Sequence, residues 1–135
     1  MKPIYYLYVG LCIAILSVWG IYFFRKNPVS SKDITSISIT NEIIDAGTIK
    51  QNTPIERIFE LKNVGNKPLI IEDVEPECNC TATNWSKTPV APSQSTQIKL
   101  TYDAHNLGFF QKKAYVKCNV EAGTVILVLR GTIIQ

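Results

Sequence analysis

The segment Ile98-Lys-Leu-Thr-Tyr102 decides the fold, because its apolar residues fall at every second position with polar residues between them. In a strand, successive side chains point to opposite faces, so a period of two marks a strand with one face buried. The same alternation appears on either side. Phe59 and Leu61 alternate with Glu60 and Lys62. Ile37 and Ile39 alternate with Ser36, Ser38 and Thr40. Val116, Cys118 and Val120 alternate with Lys117 and Asn119. Val125 to Leu129 is apolar without a break, which predicts a strand covered on both faces. Turn-forming residues separate these runs at Ala46-Gly47, Gly65-Asn66, Pro76, Pro89, Pro92, Asn106 to Gly108 and Ala122-Gly123. Glu121-Ala-Gly-Thr124 has the length and glycine of a tight hairpin. No segment after residue 27 carries a helical stripe. About seven short strands in roughly 100 residues predict an all-β, Ig-like β-sandwich over residues 36–135. The Cys…Trp…Cys order of antibody domains is missing, and Trp85 reads as part of a loop.

A different pattern precedes the strands. Residues 4–24, IYYLYVGLCIAILSVWGIYFF, contain no charge. As a helix they would extend about 31 Å, which matches a hydrocarbon core roughly 30 Å thick. Tyr5, Tyr6 and Tyr8 stand at one end, and Trp19, Tyr22, Phe23 and Phe24 at the other, where half-wetted rings are favoured. The run is too long for a signal-peptide core and ends in Tyr22-Phe23-Phe24-Arg25 rather than in a small-residue cleavage site. Leu11 before Cys12 argues against lipoprotein processing. The expected organisation is therefore a single transmembrane anchor with its flanks (1–26), a polar tether (27–35) and the sandwich (36–135).

The 135-residue chain has 14 basic and 11 acidic residues, a formal charge of +3. Lys2, Arg25 and Lys26 flank the apolar run. Without these three, 11 basic residues face 11 acidic ones, so the sandwich is neutral. A nucleic-acid partner would call for a basic patch, and Lys112-Lys113 alone reads as a solvated strand end. No nucleic acid, cofactor or small-molecule substrate is expected.

The sharpest local feature is Cys78-Asn-Cys80, with Cys118 as a third cysteine in the domain. Several readings stay open. A redox pair usually has two intervening residues and a helix N-terminus to lower a thiol pKa, whereas Glu75 and Glu77 would raise it. A soft metal such as Cu(I) or Zn(II) could take the thiolates, although a structural zinc site wants four ligands and the only histidine is His105. A bridge from either cysteine to Cys118 would close about 38 residues and contribute roughly 3–4 kcal/mol. The plainest alternative has the pair shaping a loop, as thiols or bonded to each other, with Cys118 buried in the core on the face of Val116 and Val120. His105 follows Asp103 in a loop, but no serine stands in a nucleophile elbow. Glu72-Asp73-Val-Glu75-Pro-Glu77 lacks the glycine and spacing of a calcium loop. No catalytic residue is expected.

Asp45-Ala-Gly-Thr-Ile49, Phe59 to Gly65, Pro68 to Ile71, Cys78-Asn-Cys-Thr81 and Trp85 to Pro89 occur in that order. Val90-Ala-Pro92, Ile98 to Tyr102, Gly108 to Lys112 and Leu129 to Ile133 follow them. The ordered set resembles the bacterial domain-of-unknown-function family 1573. Asn79 stands where that family has glycine, Pro92-Ser93 replaces its Pro-Gly turn, and Cys118 is an addition. The resemblance implies an Ig-like fold and export, and supplies no activity. Basic residues on both flanks leave orientation nearly tied. The resemblance favours a single-pass protein of the bacterial inner membrane with its C-terminal domain in the periplasm, where disulfides persist. The expected function is a non-catalytic, membrane-anchored binding or scaffold module for a protein partner, with strand addition at a sheet edge as one route. The alternative is a thiol–disulfide or copper-handling protein that uses Cys78 and Cys80.

The anchor has a direct test. The full-length chain should stay with the membrane fraction through an alkaline carbonate wash, and a soluble form trimmed at its N-terminus would remove the anchor.

Overall fold

The computed structural model describes residues 34–135. The expected membrane span 4–24 and the tether up to residue 33 lie outside the described residues. Among the described residues, no helix is long and apolar enough to cross a membrane.

Among the described residues eight strands form, one more than the expected seven. They are β1 (Ile37–Ile39), β2 (Ile43–Lys50), β3 (Ile55–Asn63), β4 (Ile71–Pro76), β5 (Thr81–Trp85), β6 (Ser95–Tyr102), β7 (Gly108–Cys118) and β8 (Thr124–Ile134). Two of them run through features that suggest turns or loops in the sequence. Ala46-Gly47 is a bulge inside β2, where the register against β8 shifts between Asp45 and Thr48. Gly47 has φ 72°, a conformation that glycine adopts without a Cβ penalty. Its N–H donates to Asp45 Oδ1 at 2.9 Å, and Arg130 Nε donates to Asp45 Oδ2 at 3.2 Å. These contacts, the Gly47 N–H foremost, hold the Asp45 carboxyl below its ordinary pKa. Trp85 ends β5 rather than lying in a loop, and it packs half-buried against the core. The cue was the spacing of Thr81, Thr83 and Trp85, whose β-branched and aromatic side chains fall on one face.

The strands form two four-stranded sheets, ordered β1-β3-β6-β5 and β2-β8-β7-β4. All pairs are antiparallel except β2–β8. Consecutive strands β1 and β2 open opposite sheets, and β4 and β5 close them. Phe59, Leu61, Ile98, Leu100 and Tyr102 face Ala114, Val116, Leu127, Leu129 and Ile133 across the interior, and all are essentially buried. The 121–124 hairpin forms as expected, with Gly123 at φ 70° and its N–H bonded to Val120 O at 2.9 Å.

Val125 to Leu129 departs from its expected burial. Leu127 and Leu129 are buried, but Ile126 is 46% exposed and Val128 is only half-buried. The opposing sheet covers only the inner face of β8. Its outer face carries an apolar strip in which Ile126 pairs with Tyr115, and Val128 with Ile43.

Two buried asparagines tie loops to the sandwich. Asn63 accepts from Thr35 Oγ1 at 2.9 Å and from Gly65 N–H at 3.1 Å, and donates to Lys67 O and Val90 O at 2.8 and 2.9 Å. Asn119 accepts from Ile70 N–H at 2.7 Å and donates to Pro68 O at 2.9 Å. Thr35, the last residue of the expected tether, is itself buried and donates its N–H to Asn119 O at 2.9 Å. Gly65 passes so close to Thr35 that a Cβ there would collide with its side chain.

Replacing Asn63 by alanine should leave several enclosed backbone and hydroxyl groups without partners, each costing about 1–3 kcal/mol. Urea unfolding of Asn63→Ala should show a net loss of about 3 kcal/mol. A loss under about 1 kcal/mol would mean that water takes over the bonds.

Candidate functional site

β4 ends at Pro76, and the chain crosses from the second sheet to the first through residues 77–80 before returning as β5. Three backbone bonds fix this crossing. Glu77 N–H donates to Lys113 O at 2.9 Å, Thr81 N–H to Cys78 O at 3.2 Å, and Asp103 N–H to Cys80 O at 3.2 Å. The two edge strands are stitched beyond it, where Thr83 Oγ1 donates to Val74 O at 3.0 Å. Val74 N–H is taken by Asp73 Oδ1 at 2.9 Å. Side chains of the chain itself therefore satisfy the edge of β4 at Val74, which blunts it for strand addition.

Cys78 and Cys80 are bonded to each other, with Cα atoms 5.3 Å apart, inside the span of ordinary disulfides. Both are half-exposed, with Asn79 exposed between them. Of the readings left open by the sequence, bonding of the pair to each other is the one found; the bridge to Cys118 does not form, and the register shows why. Cys118 pairs with Ile71, at the opposite end of β4. The strand from Ile71 to Cys78 carries the pair roughly 20 Å away at about 3.3 Å per residue, while a disulfide needs Cα atoms within about 7 Å. Cys118 is a free thiol in the core, 4% exposed, with its Sγ 3.8 Å from Val116 O. Burial pushes its pKa up, so it stays protonated and unreactive.

The ring closed by the bridge spans three residues. Loop-closure entropy gives such a ring about 1.6 kcal/mol of fold stabilisation, against about 4 for the bridge to Cys118. Linkage makes this reciprocal: a fold that gains little from a disulfide adds equally little to the disulfide's resistance to reduction. About 1.6 kcal/mol corresponds to only some 35 mV.

One side chain touches both sulfurs. Thr81 Oγ1 lies 3.8 Å from Cys78 Sγ and 3.9 Å from Cys80 Sγ, and Thr81 is 3% exposed. Sequence reasoning passed over it. The available cue was a hydroxyl residue directly following the second cysteine. The carboxylates expected to raise a thiol pKa are each matched by a lysine: Glu75 lies 3.3 Å from Lys117 Nζ, and Glu77 lies 3.9 Å from Lys113 Nζ. Among the described residues, no group of three His, Cys, Asp or Glu side chains is placed to hold a metal ion.

The remaining candidates lie in neighbouring loops. His105 Nδ1 is 2.7 Å from Asn52 Oδ1, and its Nε2 is 3.9 Å from Asp103 Oδ2. Asn52 N–H donates to Ala104 O at 3.0 Å, which joins the 51–54 loop to the 103–107 loop. His105 thus works as a tie between loops. Lys112 does not project into solvent as a bare cation: its Nζ sits 5.2 Å from the centre of the Tyr102 ring. Leu107 and Phe109 are 50% and 70% exposed in and just after the loop that begins at Asp103.

Residues 37–133 match the family described as protein of unknown function (DUF1573). No curated protein matches the chain. A solved protein of unknown function from Porphyromonas gingivalis W83 superposes with a TM-score of 0.66 at 16% identity, covering 78% of this chain. This chain spans 50% of that protein's length. The PapD-like domain 7 of human CEP192 gives 0.58 at 16% identity, covering 82% of this chain and 93% of its own. The secreted serine protease VesC of Vibrio cholerae gives 0.59 at 15% identity, covering 76% of this chain and 24% of its own. Likenesses at this identity concern the fold alone.

The small ring sets a measurable limit. Reducing the full chain should lower its unfolding free energy by about 1.6 kcal/mol, read from urea curves with and without reductant. A loss of 4 kcal/mol or more would make the bridge a structural staple.

Proposed function

We propose, from the premise that this chain belongs to the DUF1573 family of proteins of unknown function, that its Cys78–Cys80 disulfide is a thiol–disulfide exchange site carried on an Ig-like scaffold. The observation that supports this reading is where the bridge lies: half-exposed at the tip of the β4–β5 crossing, in a ring too small to matter much to the fold. Exposed bridges of low structural weight are the ones that partner thiolates attack.

The co-reactant is a dithiol on a partner protein. Its first thiolate attacks one sulfur of the pair. The Cys78–Cys80 bond breaks, a mixed disulfide forms, and the other cysteine leaves as a thiolate. The partner's second thiolate then attacks the partner sulfur of the mixed disulfide, which releases the second cysteine. Two electrons pass to this chain, and the partner leaves as a disulfide. The partner's thiols give up two protons, and the two cysteines take up two as they are protonated. Cys118 takes no part, since it is buried and far from the pair. The apolar run 4–24 would hold the site at the periplasmic face of a bacterial inner membrane, where oxidised pairs persist.

A second reading is a non-catalytic binding or scaffold module. It is supported by Leu107 and Phe109, large apolar side chains left exposed beside the loop whose Asp103 N–H bonds Cys80 O. Full-length chain in detergent, equilibrated with glutathione buffers of set potential and quenched by alkylation, separates the two. Exchange requires half-reduction of the pair above about −300 mV, the region that structural disulfides avoid. Half-reduction below that value would sink exchange and leave the binding reading.

A further inference from the structure

We propose that Thr81 is the positioning residue of the pair: its hydroxyl holds whichever cysteine leaves as a thiolate. The inference rests on the exchange reading above. In the oxidised state neither sulfur carries a proton, so in both contacts the only possible donor is the Thr81 hydroxyl, 3.8 Å from one sulfur and 3.9 Å from the other. A hydroxyl hydrogen rotates freely about its C–O bond. It therefore reaches Cys78 or Cys80 with equal ease and serves attack on either sulfur.

The rest of Thr81 is fixed. Its backbone pairs with Tyr102 in the β5–β6 ladder, its N–H closes the turn onto Cys78 O, and its side chain is enclosed. The sulfurs are held equally well, because the backbone bonds of Glu77, Thr81 and Asp103 do not involve the bridge. When the S–S bond breaks, charge appears on a sulfur that already has a donor within reach. A preplaced donor of this kind costs no reorganisation, and its bond to the charged form lowers the pKa of the leaving thiol. Among the described residues, no helix supplies an N-terminus to do that work. The surrounding charges are Glu75 and Glu77, each near a lysine of β7 (Lys117 and Lys113), Asp103 on the adjoining loop, and Lys112 over the Tyr102 ring. These three carboxylates and three lysines match in number, whereas the Thr81 hydroxyl is the donor placed against both sulfurs.

The test uses reduced full-length chain in detergent. Iodoacetamide alkylation of Cys78 and Cys80 is followed separately by peptide mass spectrometry across pH 5 to 10. In Thr81→Val, which keeps the β-branched shape and removes the donor, the alkylation midpoint of at least one cysteine should rise by about one pH unit. Thr81→Ser should restore it, and Cys118 should remain unlabelled throughout. If Thr81→Val fails to fold by urea titration, Thr81→Ala supplies the same deletion with less bulk. Unchanged midpoints at both cysteines in a folded hydroxyl-free variant would overturn the proposal. This readout is separate from the glutathione potential. A pair too reducing to exchange, yet shifted by Thr81→Val, would end the exchange function and keep the role of Thr81.

Discussion

Phe59, Leu61, Ile98, Leu100 and Tyr102 line one sheet, and Ala114, Val116, Leu127, Leu129 and Ile133 line the other. The sheets share no strand ladder, so this apolar layer, helped by the Thr83–Val74 bond at one edge, keeps them together. The crossings and polar ties depend on that layer for their geometry. Tyr102 shows the dependence most directly. Its ring is 1% exposed and packs 4.6 Å from Phe110, while its backbone sets the register of Thr81 at the start of β5. Core packing thus fixes where the hydroxyl beside the two sulfurs stands.

The cysteines are divided between two environments. Cys78 and Cys80 sit half-exposed on a crossing whose backbone bonds are independent of the bridge. Cys118 is sealed in the core on β7, across from the far end of β4. In the folded chain this separation keeps Cys118 from pairing with either of them. It also leaves the sandwich intact whichever oxidation state the pair adopts, since a three-residue ring constrains the unfolded chain only slightly.

The alternation at Ile98, Leu100 and Tyr102, and its counterpart at Phe59 and Leu61, made the sandwich legible from the sequence, because burial on one face imposes a period of two. The same rule placed Cys118 in the core. It misjudged Val125 to Leu129, since apolarity without a break says nothing about whether a second layer is present. Gly47 misled for a related reason: a positive φ marks a bulge within a strand as well as a turn between strands. At the candidate site, the sequence singled out Cys78 and Cys80 and left their pairing open. Spacing along the chain cannot reveal that Cys118 is paired in register with Ile71, because register is decided by tertiary contacts. Thr81 stands in the Cys78-Asn-Cys-Thr81 run, but a lone threonine has no pattern that would assign it a role.

The parallel pairing of β2 with β8 bears on the order of assembly. β2 enters its sheet only beside β8, a partner about 85 residues later in the chain. Until β8 has been synthesised, β2 has no neighbour in its sheet, whereas β1, β3, β6 and β5 can already assemble. Closing so long a loop slows the final step, and the waiting intermediate presents the apolar side chains of β2 and a sticky, half-built sheet to its surroundings. Chains of this topology are therefore most vulnerable to misassociation late in biogenesis, during the interval before β8 slots between β2 and β7.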